Sequence, residues 1–321
     1  MSTVEKIKVV VTDQAFGSVE NEQRMASRVG AQFSDHQCVT EEETLNAVKG
    51  ASVVFNNFAP ITPEVMKMME PGATVIRYGV GVDNVDLVAA NQLGIHVCNV
   101  PDYGVDEVAD HAMAMILALA RKLALYDKGI RNQHWSIKQI VGELKSLRDC
   151  QVGLVGFGRI ARSLSTRLEA FGCKIQAYDP YVNQVDVIVD MVTFEQLVET
   201  SDIVSFHLPY TPETHHVLNA EMIARMPQGA IVINVSRGGL IDEEALAKAV
   251  QRGHIFGAGL DVFEREPLPE NSPLRDCPNV WLTPHAAFYS EASVRNLQRL
   301  AAEEGERAIN HEPLRCELTR F

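Results

Sequence analysis

Short apolar, β-branched runs alternate with stretches of helical periodicity along the chain. In the first hundred residues the strand-like runs are KVVVTD, AQFSDH, ASVVFNN, ATVIRYG and HVCNV. Helical patterns lie between them: the stretch around Val19–Val29, TEEETLNAVKG, TPEVMKMME and DLVAANQLG. Thr62-Pro63-Glu64 predicts a helix start and Gly94 a helix end. This alternation predicts five strand–helix units that form a parallel sheet with helices on both faces.

The alternation restarts after one long helix, which we expect from about Val105 to Arg131. QVGLVGF is a nearly continuous apolar run, as expected of a strand covered on both faces. The runs KIQAYD, DIVSFHL, AIVINVS, IFGAGLDVF and VWLTPH predict further strands, and SEASVRNLQRLAAEEGERAIN predicts an amphipathic helix. The sequence therefore predicts an α/β fold with two doubly wound parallel-sheet domains, and Pro101 is the expected hinge.

The charge balance argues against two classes of partner. The 321 residues contain 29 Lys and Arg against 42 Asp and Glu, which gives a net charge of −13. Binding to nucleic acid or to an anionic membrane surface requires clustered basic residues. We therefore expect neither nucleic acid nor a membrane as a partner. The length suits about two domains.

The cysteines and the apolar segments predict a cytoplasmic protein. There is no Cys-x-x-Cys pair and no Cys/His metal-ligand spacing, so we expect reduced thiols and no metal site. The six cysteines are Cys38, Cys98, Cys150, Cys173, Cys277 and Cys316. The N-terminal stretch MSTVEKIKVVVTD lacks the apolar core of an export signal. HAMAMILALARKL, interrupted by His111 and Arg121, is too short to span a bilayer and predicts a buried helix.

The segment CQVGLVGFGRIARSLS has the pattern of a dinucleotide-binding turn between a strand and a helix. Gly156 permits the tight turn, and Gly158 lets backbone amides approach a pyrophosphate at the helix N-terminus. Ala161 replaces the third glycine of the pattern. The next strand ends in Asp179, about 20 residues on, where an acid accepts hydrogen bonds from the adenosine ribose. The alternative is a structural turn followed by a solvated aspartate.

Asp179 also favours NAD over NADP as the cofactor. A 2′-phosphate on the ribose would meet the carboxylate. The segment PYVNQVDVIVDMV, which follows, contains no Arg or Lys to offset that repulsion.

Three polar residues follow strand-like runs in the second half of the chain. They are Arg237 after VINVS, Glu266 in LDVFERE and His285 after VWLTP. Strand carboxyl ends face the ligand crevice of an open α/β sheet, so the three side chains could converge there. Hydride transfer to a ketone requires a proton donor such as histidine, and a guanidinium can clamp a substrate carboxylate. A carboxylate beside the histidine would stabilise its imidazolium form.

Each of these residues also has a structural interpretation when it is taken singly. Arg237 could end a strand before a glycine turn, His285 could be a core residue with satisfied hydrogen bonds, and Glu266 could be one charge among several on a loop. The combination of the three favours catalysis.

Several segments resemble the D-isomer-specific 2-hydroxyacid dehydrogenase family. NVSRGGLIDEEAL, GAGLDVFEREP and LTPHAAFYSEAS resemble its catalytic segments, and RYGVGVDNVD and NVPDYGVDEVADHAMAMILALARKL resemble its substrate-domain and crossover segments. The resemblance extends from about Val53 to Ile309. It implies that Arg237, Glu266 and His285 are the catalytic residues and that NAD is the cofactor.

The resemblance also implies a domain organisation. A flavodoxin-like substrate domain would comprise residues 1–100 plus 287–321, and a Rossmann NAD domain would comprise residues 101–286, with a cleft between them. On this organisation the dinucleotide turn lies late in the chain because the NAD domain would be inserted into the substrate domain. The family further implies a homodimer joined through the NAD domains.

Cofactor and substrate contacts follow from the same resemblance. On the cofactor side they are the amides of Arg159 and Ile160 at the pyrophosphate, His207, Leu208, Pro209 and Thr214 at the adenosine, and Val235, Ser236 and Asp261 near the nicotinamide. On the substrate side, Val80 and Gly81 would present amides to the substrate carboxylate, with Asn99 nearby.

Within the family, FGCKIQAYDPYV, SPLRDCPNVWLTPHAAFYSE and CNVP resemble the C-terminal-binding-protein group. Arg77 matches a substrate-facing arginine of that group, and a plain strand-end arginine is the alternative. Phe288 stands where the group has a tryptophan. The group implies an alternative function, an NAD(H)-sensing corepressor, but all three catalytic positions are intact here and the chain has no long disordered tail.

Phosphoglycerate dehydrogenase lacking a regulatory domain is the second alternative, since the sequence ends at Phe321. Its pocket needs a cation for the substrate phosphate. The loop FNNFAPITPE has none, and Asn56, Asn57 and Phe58 stand where that enzyme has an arginine. We therefore expect an oxidoreductase that interconverts a small 2-oxo acid and its (R)-2-hydroxy acid. The uncharged tail of the substrate would face Asn57, Phe58, Tyr103 and Phe288.

Overall fold

The computed structural model describes residues 7–182 and 189–321. Residues 1–6, part of the stretch considered for an export signal, and residues 183–188, part of the segment searched for cations, lie outside the described residues. The chain divides into two compact units, Met1–Gly104 with Ser290–Phe321, and Val105–Tyr289. The functional domains expected at residues 1–100 plus 287–321 and 101–286 stay a prediction.

The first unit is built on a parallel sheet, of which the described residues form five strands. These are β1 (Lys8–Val11), β2 (Gln32–Asp35), β3 (Val53–Asn56), β4 (Thr74–Arg77) and β5 (His96–Cys98). Their order in the sheet is β2-β1-β3-β4-β5, and all neighbouring strands run parallel. This is the order of flavodoxin-like sheets.

Helices connect these strands: α1 (Glu20–Arg28), α2 (Glu41–Ala47), α3 (Pro63–Met66) and α4 (Leu87–Leu93). Thr62 caps α3, and Gly94 ends α4 in a left-handed conformation, as predicted. The expected fifth strand–helix unit is wrong, because the helix that follows β5 belongs to the second unit. Helix α3 is also shorter than the nine-residue stretch TPEVMKMME that predicted it.

The second unit contains a larger parallel sheet. Its strands are β6 (Gln151–Val155), β7 (Lys174–Tyr178), β8 (Asp190–Met191), β9 (Ile203–Phe206), β10 (Ala230–Asn234), β11 (Ile255–Leu260) and β12 (Val280–Leu282). The order β8-β7-β6-β9-β10-β11-β12 is that of a Rossmann sheet with one further strand at the edge. The sequence did not predict β8, because two residues are too few to show a period.

The helices of this unit are α5 (Val105–Ala120), α6 (Leu123–Arg131), α7 (Ile137–Val141), α8 (Arg159–Ala170), α9 (Phe194–Thr200), α10 (Ala220–Arg225) and α11 (Glu243–Gln251). The prediction of one long helix from Val105 to Arg131 is wrong. Lys122 adopts a left-handed conformation with φ = 53° and separates α5 from α6. Its Nζ donates to the carbonyl groups of Val141 and Glu143, which holds the break in place.

Helix α12 (Glu291–Ile309) returns the chain to the first unit. Leu297 and Ala301 of α12 join Met25 of α1 in a buried cluster on one face of the first sheet, and α2, α3 and α4 cover the other face. The second sheet is likewise covered by α5 and α8 on one face and by α9, α10 and α11 on the other. Both units are therefore doubly wound α/β sheets, as the sequence predicts.

Within the described part of the chain, no helix combines the length and the apolar character needed to cross a membrane.

Candidate active site

Six strands of the second sheet end next to residues predicted for the site. Gly156 follows β6, Asp179 follows β7, His207 follows β9, Arg237 comes after β10, Asp261 follows β11 and His285 comes after β12. Because these strands are parallel, their carboxyl ends lie along one edge of the sheet, where open α/β sheets bind ligands. The second unit therefore brings its predicted residues to the edge expected for a ligand.

The turn between β6 and α8 leaves space in front of the helix. Gly156 has φ = 90°, and a Cβ there would lie 2.8 Å from the carbonyl group of His207, so this position requires glycine. Gly158 is the N-cap of α8, and a Cβ on it would meet no atom within 4 Å. The N–H groups of Arg159 and Ile160 open the helix and have no acceptor within it. This space fits a pyrophosphate, since helix N-termini bind phosphate groups.

Asp179 lies beside this turn. Its Oδ2 accepts the N–H of Phe157 at 2.8 Å, and its Oδ1 accepts the N–H of Tyr181 at 2.9 Å. A carboxylate oxygen can accept more than one hydrogen bond, so both oxygens retain acceptor capacity. The carboxylate therefore fits the adenosine ribose of a dinucleotide whose pyrophosphate lies at α8.

The side chains predicted to contact the adenosine mainly make contacts within the segment that follows β9. The Nδ1 atom of His207 is buried, and its Nε2 lies 2.9 Å from Oγ of Ser205. Burial lowers the pKa of His207 to about 3. Leu208 is buried, and Oγ1 of Thr214 donates to the carbonyl of Pro209 at 2.9 Å. The two ring nitrogens of His207 are therefore accounted for within the protein, one by burial and one by Ser205.

His285 and Glu266 form a hydrogen-bonded pair. Nδ1 of His285 lies 2.7 Å from Oε2 of Glu266, and Oε1 of Glu266 accepts the N–H of Phe263 at 3.0 Å. His285 has φ = 53°, and its N–H donates to the carbonyl of Asp261 at 2.8 Å. Because Nδ1 faces the carboxylate, Nε2 is the ring nitrogen that can exchange a proton with a substrate.

The carboxyl group of Glu266 favours its ionised form. Burial raises its pKa, but the hydrogen bond and charge of His285, the N–H of Phe263 and the charge of Arg237 outweigh burial, so the pKa is lowered overall. An ionised carboxylate beside an imidazole stabilises the imidazolium form. The charges of Arg237 and His285 both lower the pKa of Glu266. The three predicted catalytic residues therefore interact electrostatically.

Arg237 lies on a turn that a buried asparagine shapes. Oδ1 of Asn234 accepts the N–H of Ser236 at 3.1 Å, and its Nδ2 donates to the carbonyl of Arg237 at 2.8 Å. A Cβ on Gly238 would lie 1.8 Å from the carbonyl carbon of Phe263. The turn that carries the arginine and the loop that carries the glutamate are therefore in direct backbone contact.

Two residues predicted near the nicotinamide also belong to this turn. Val235 is buried, and Oγ of Ser236 donates to the carbonyl of Phe206 at 3.1 Å. These contacts join the ends of β9 and β10.

Asp261 holds the loop that follows β12. Its carboxylate is buried and accepts hydrogen bonds from the hydroxyl of Thr283 and from the N–H groups of Ala286 and Ala287. Nε2 of His111, on α5, lies 3.0 Å from Oγ1 of Thr283. We therefore interpret Asp261 as a support for the loop, and its contact with the nicotinamide stays a prediction.

In the first unit, the residues predicted for the substrate carboxylate follow β4 and β5. The carbonyl of Val80 accepts Nδ2 of Asn99 at 2.6 Å, which orients the peptide between Val80 and Gly81. Val80 is 45% exposed, whereas Asn99 is buried. Arg77 packs against Gly79, where a Cβ would lie 2.0 Å from Nη1 of the arginine. Asn99 therefore holds the backbone of the loop after β4 through its hydrogen bond to Val80.

The loop after β3 presents an exposed aromatic side chain. The N–H groups of Asn57 and Phe58 both donate to the buried carboxylate of Asp13, at 3.0 and 2.6 Å. Nδ2 of Asn56 donates to the carbonyl of Ala59 at 2.9 Å. The carboxylate of Asp13 therefore anchors the backbone of this loop. The ring of Phe58, which is 61% exposed, lies at the surface.

The remaining two residues predicted for the substrate tail lie in different units. Tyr103 packs against the core of the first unit, and Phe288 packs against the core of the second.

Sequence reasoning missed several supports of these loops, namely Asp13, His111 and Asn234. Each is a polar residue at the end of an apolar strand or inside an apolar helix. Buried polar groups usually have a hydrogen-bond partner. A polar residue within an apolar segment is therefore the sequence signal that could have identified these three as structural supports.

Among residues 7–182 and 189–321, no group of three or more His, Cys, Asp and Glu side chains is arranged to hold a metal ion. The six cysteines are free thiols.

Comparison with known proteins identifies the family. The family model for the D-isomer specific 2-hydroxyacid dehydrogenase NAD binding domain matches residues 113–287. The chain is 34% identical over 314 residues to a D-3-phosphoglycerate dehydrogenase from Methanocaldococcus jannaschii, covering 95% of this chain and 58% of that protein. It therefore spans little more than half of that relative.

A glyoxylate reductase from Korarchaeum cryptofilum is 38% identical over 251 residues, which are 76% of this chain and 75% of that protein. The D-lactate dehydrogenase from Aquifex aeolicus, solved with NAD and lactic acid, superimposes with a TM-score of 0.85 at 28% identity, over 95% of this chain and 96% of that one. Placement in the C-terminal-binding-protein group stays a prediction. The chain belongs to the D-isomer specific 2-hydroxyacid dehydrogenase family and carries its NAD-binding domain.

Proposed function

We propose that this protein is an NAD-dependent oxidoreductase that reduces a small 2-oxo acid to the (R)-2-hydroxy acid, or catalyses the reverse reaction. The observation that carries the proposal is the 2.7 Å contact between Nδ1 of His285 and Glu266, in the unit that also contains the dinucleotide turn. Reduction of a 2-oxo acid requires a proton donor and a cation that binds the substrate. His285, held by the carboxylate of Glu266, can be the donor, and Arg237, whose charge acts on Glu266, can be the cation.

Each residue has a separate task in this reaction. NADH, when bound at the glycine turn, would supply the hydride for the carbonyl carbon. Nε2 of His285 donates a proton to the carbonyl oxygen as negative charge develops there, and Glu266 stabilises the imidazolium before that donation. Arg237 holds the substrate carboxylate and polarises the carbonyl. The balanced reaction consumes one 2-oxo acid, one NADH and one proton.

NAD is the proposed cofactor rather than NADP. The carboxylate of Asp179 lies at the glycine turn, and a 2′-phosphate would be repelled by it. The sequence from 180 to 192 contains neither Arg nor Lys, so it offers no cation for that phosphate.

The proposed substrate has an uncharged tail. We assign the carboxylate-side contacts in the first unit to the amides of Val80 and Gly81, which Asn99 orients. Arg77, at the end of β4, is the proposed substrate-facing arginine. Asn57 and Phe58 lie on a loop that has no cation in its sequence and is anchored to the carboxylate of Asp13. The loop itself therefore offers no cation to pair with an anionic tail.

A second candidate is phosphoglycerate dehydrogenase activity. It is favoured by the 34% identity with the enzyme of that name from M. jannaschii, which covers 95% of this chain. Glyoxylate reduction, by the same reasoning from the K. cryptofilum relative, falls within the leading proposal.

The experiment that decides between them is a screen of NADH oxidation at 340 nm. The substrates are pyruvate, hydroxypyruvate, glyoxylate, 2-oxobutyrate, phenylpyruvate and phosphohydroxypyruvate. We expect an unphosphorylated 2-oxo acid to give the highest kcat/KM. A preference for phosphohydroxypyruvate would overturn the proposed substrate class, and no turnover of any of them would overturn the function.

Replacing the proton donor tests the mechanism. His285→Ala should lower kcat on the best substrate at least about 100-fold, the size of a general-acid contribution. NADH binding should stay within about 2-fold, because the dinucleotide turn is formed by other residues. His311→Ala, at an exposed histidine of the first unit, is the control and should retain full activity. A variant at position 285 that keeps wild-type turnover would refute the role of His285.

We also propose that the enzyme is cytoplasmic and forms a homodimer through its NAD domain. The free thiols of its six cysteines suit a reducing compartment. Apolar side chains are exposed around α6 and α7, including Trp135 at 86% and Ile137 at 66%. A second copy is the partner that the family resemblance implies for such a surface.

A further inference from the structure

Glu266 owes its position to the loop on which it stands. Its Oε1 accepts a hydrogen bond from the N–H of Phe263, three residues earlier, and its Oε2 faces His285. The distance between Glu266 and the histidine therefore depends on how the backbone from 263 to 266 is held. The residues that hold this backbone control the pair, although they do not touch the reacting groups.

Glu264 and Glu243 hold this backbone through a reciprocal pair of hydrogen bonds. The N–H of Glu264 donates to Oε1 of Glu243 at 2.6 Å, and the N–H of Glu243 donates to Oε1 of Glu264 at 3.0 Å. Each glutamate thus accepts the backbone N–H of the other. We name these two residues the glutamate clasp.

The clasp joins the loop to a rigid element. Glu243 is the first residue of α11, whose N-terminus is capped by the side chain of Asp242. A carboxylate at a helix N-terminus is stabilised by the helix dipole and by the free N–H groups there. The loop that carries the catalytic glutamate is therefore fastened to the start of a helix that packs in the core.

Further groups face the clasp from neighbouring segments. Nε2 of His216 lies 3.3 Å from Oε1 of Glu264, and the N–H of His216 donates to the carbonyl of Gly239. Burial raises the pKa of Glu243, and the charges of Glu264 and Glu266 add to this effect. The clasp and the catalytic glutamate are thus close enough to interact electrostatically.

We propose that Glu243 and Glu264 are positioning residues that set the contact between Glu266 and His285. This inference rests on the proposed function, in which that contact supports proton donation. Their role requires hydrogen-bond acceptance rather than charge, because in each residue a single oxygen makes the bond. Glutamine can provide the same acceptor, whereas alanine cannot.

The test compares alanine and glutamine at both positions. Glu243→Ala and Glu264→Ala should lower kcat on the best 2-oxo acid at least about 10-fold, since small displacements of a catalytic group are costly. Glu243→Gln and Glu264→Gln should retain kcat within about 3-fold by preserving the acceptor. NADH affinity should change little in all four. The control is Glu244→Ala, which removes the next carboxylate of α11, paired with Lys248 at the surface, and should behave as wild type.

A second measurement does not depend on turnover. Histidine-selective ¹⁵N labelling gives the imidazole signals of His285, which are assigned by their loss in His285→Ala. The two alanine variants should shift these signals away from their wild-type positions, and the glutamine variants and Glu244→Ala should leave them in place.

The outcomes separate this inference from the proposed function. If the wild-type protein reduces no 2-oxo acid, the function fails, while the imidazole signals still decide whether the clasp positions the pair. If the alanine variants keep both wild-type kcat and wild-type His285 signals, the positioning role is refuted. Glutamine variants that are folded by circular dichroism but as impaired as the alanine variants would refute the hydrogen-bond explanation.

Discussion

His207 shows at the scale of one residue how burial fixes a protonation state. Its ring shares a hydrogen bond with Ser205, its Nδ1 is buried, and burial lowers its pKa from 6.5 to about 3. The ring is therefore neutral in the folded protein at pH values where it would be protonated in the unfolded chain. Since the unfolded state then binds the additional proton, the folded state loses stability as the pH falls below about 6.5.

This linkage predicts a measurable acid sensitivity. Between pH 7 and pH 5, His207 should contribute a loss of about 2 kcal/mol in the free energy of unfolding, from 1.36 kcal/mol for each pH unit below the unfolded pKa. His207→Gln removes the titrating group, so urea denaturation of this variant should show that much less destabilisation between the two pH values.

The control is His311→Gln, which replaces an exposed histidine of the first unit. It should keep the pH sensitivity of the wild type. An equal loss of stability between pH 7 and pH 5 in wild type and His207→Gln would contradict the assignment of a buried neutral ring.

Residues that follow strands could be predicted from the sequence, whereas their supports could not. Arg237 and His285 follow apolar runs, and parallel strands bring such positions to one edge. Glu243 and Glu264 lie 21 residues apart, and no local pattern pairs them. Their pairing depends on how α11 packs beside the loop after β11, which is a property of the tertiary structure.

At the scale of elements, the turn between β6 and α8 gives its two glycines different physical tasks. Gly156 has positive φ and contacts the backbone at the end of β9. Gly158 has φ = −80° and open space around its missing side chain. The first glycine is required by the fold, and the second leaves room for the ligand.

The matched pair Gly156→Ala and Gly158→Ala separates these tasks. Gly156→Ala should lower the free energy of unfolding by about 1–3 kcal/mol, because a left-handed residue acquires a Cβ that clashes with backbone. Gly158→Ala should leave the melting temperature nearly unchanged but weaken NADH binding at least about 10-fold, because its methyl group occupies the pyrophosphate space.

Thermal denaturation and a fluorescence titration with NADH measure the two effects. A Gly158→Ala variant that binds NADH as tightly as the wild type would show that the pyrophosphate lies elsewhere. A fully stable Gly156→Ala variant would show that the turn can relax, contrary to its contacts in the structure.

Elements with a clear period were predicted more reliably than breaks between elements. The strands from β1 to β7 and from β9 to β12 lie in runs that the sequence analysis identified as strand-like, so their positions could be predicted. The break between α5 and α6 was not, because Lys122 is an ordinary helix former. Its left-handed conformation is stabilised by carbonyl groups about twenty residues later and by the ring of Phe256, 4.8 Å from Nζ.

At the scale of the whole molecule, the order of elements explains why the dinucleotide turn lies in mid-chain. The first unit takes residues from both ends of the chain, and the second unit is continuous. Alternating strands and helices predicted two doubly wound sheets, but only the family resemblance indicated that α12 would return to the first one. An amphipathic helix specifies an apolar face without specifying the sheet it covers.

The exposed apolar surface of the second unit leads to a prediction about assembly. Leu123, Ile130, Trp135 and Ile137 are each at least half exposed and lie within fifteen residues of one another on and between α6 and α7. Such a concentration is unfavourable in water unless a partner covers it. Sedimentation velocity of the wild type should therefore give about twice the 35.5 kDa of one chain.

Trp135→Glu should shift the protein toward the monomer, because burying an unpaired carboxylate in the interface costs several kcal/mol. Val88→Glu, at an exposed apolar residue of the first unit, is the matched control and should stay dimeric. Circular dichroism shows whether each variant remains folded. A monomeric wild type, or a Trp135→Glu variant that dimerises as well as the wild type, would mean that this surface does not bind a second copy.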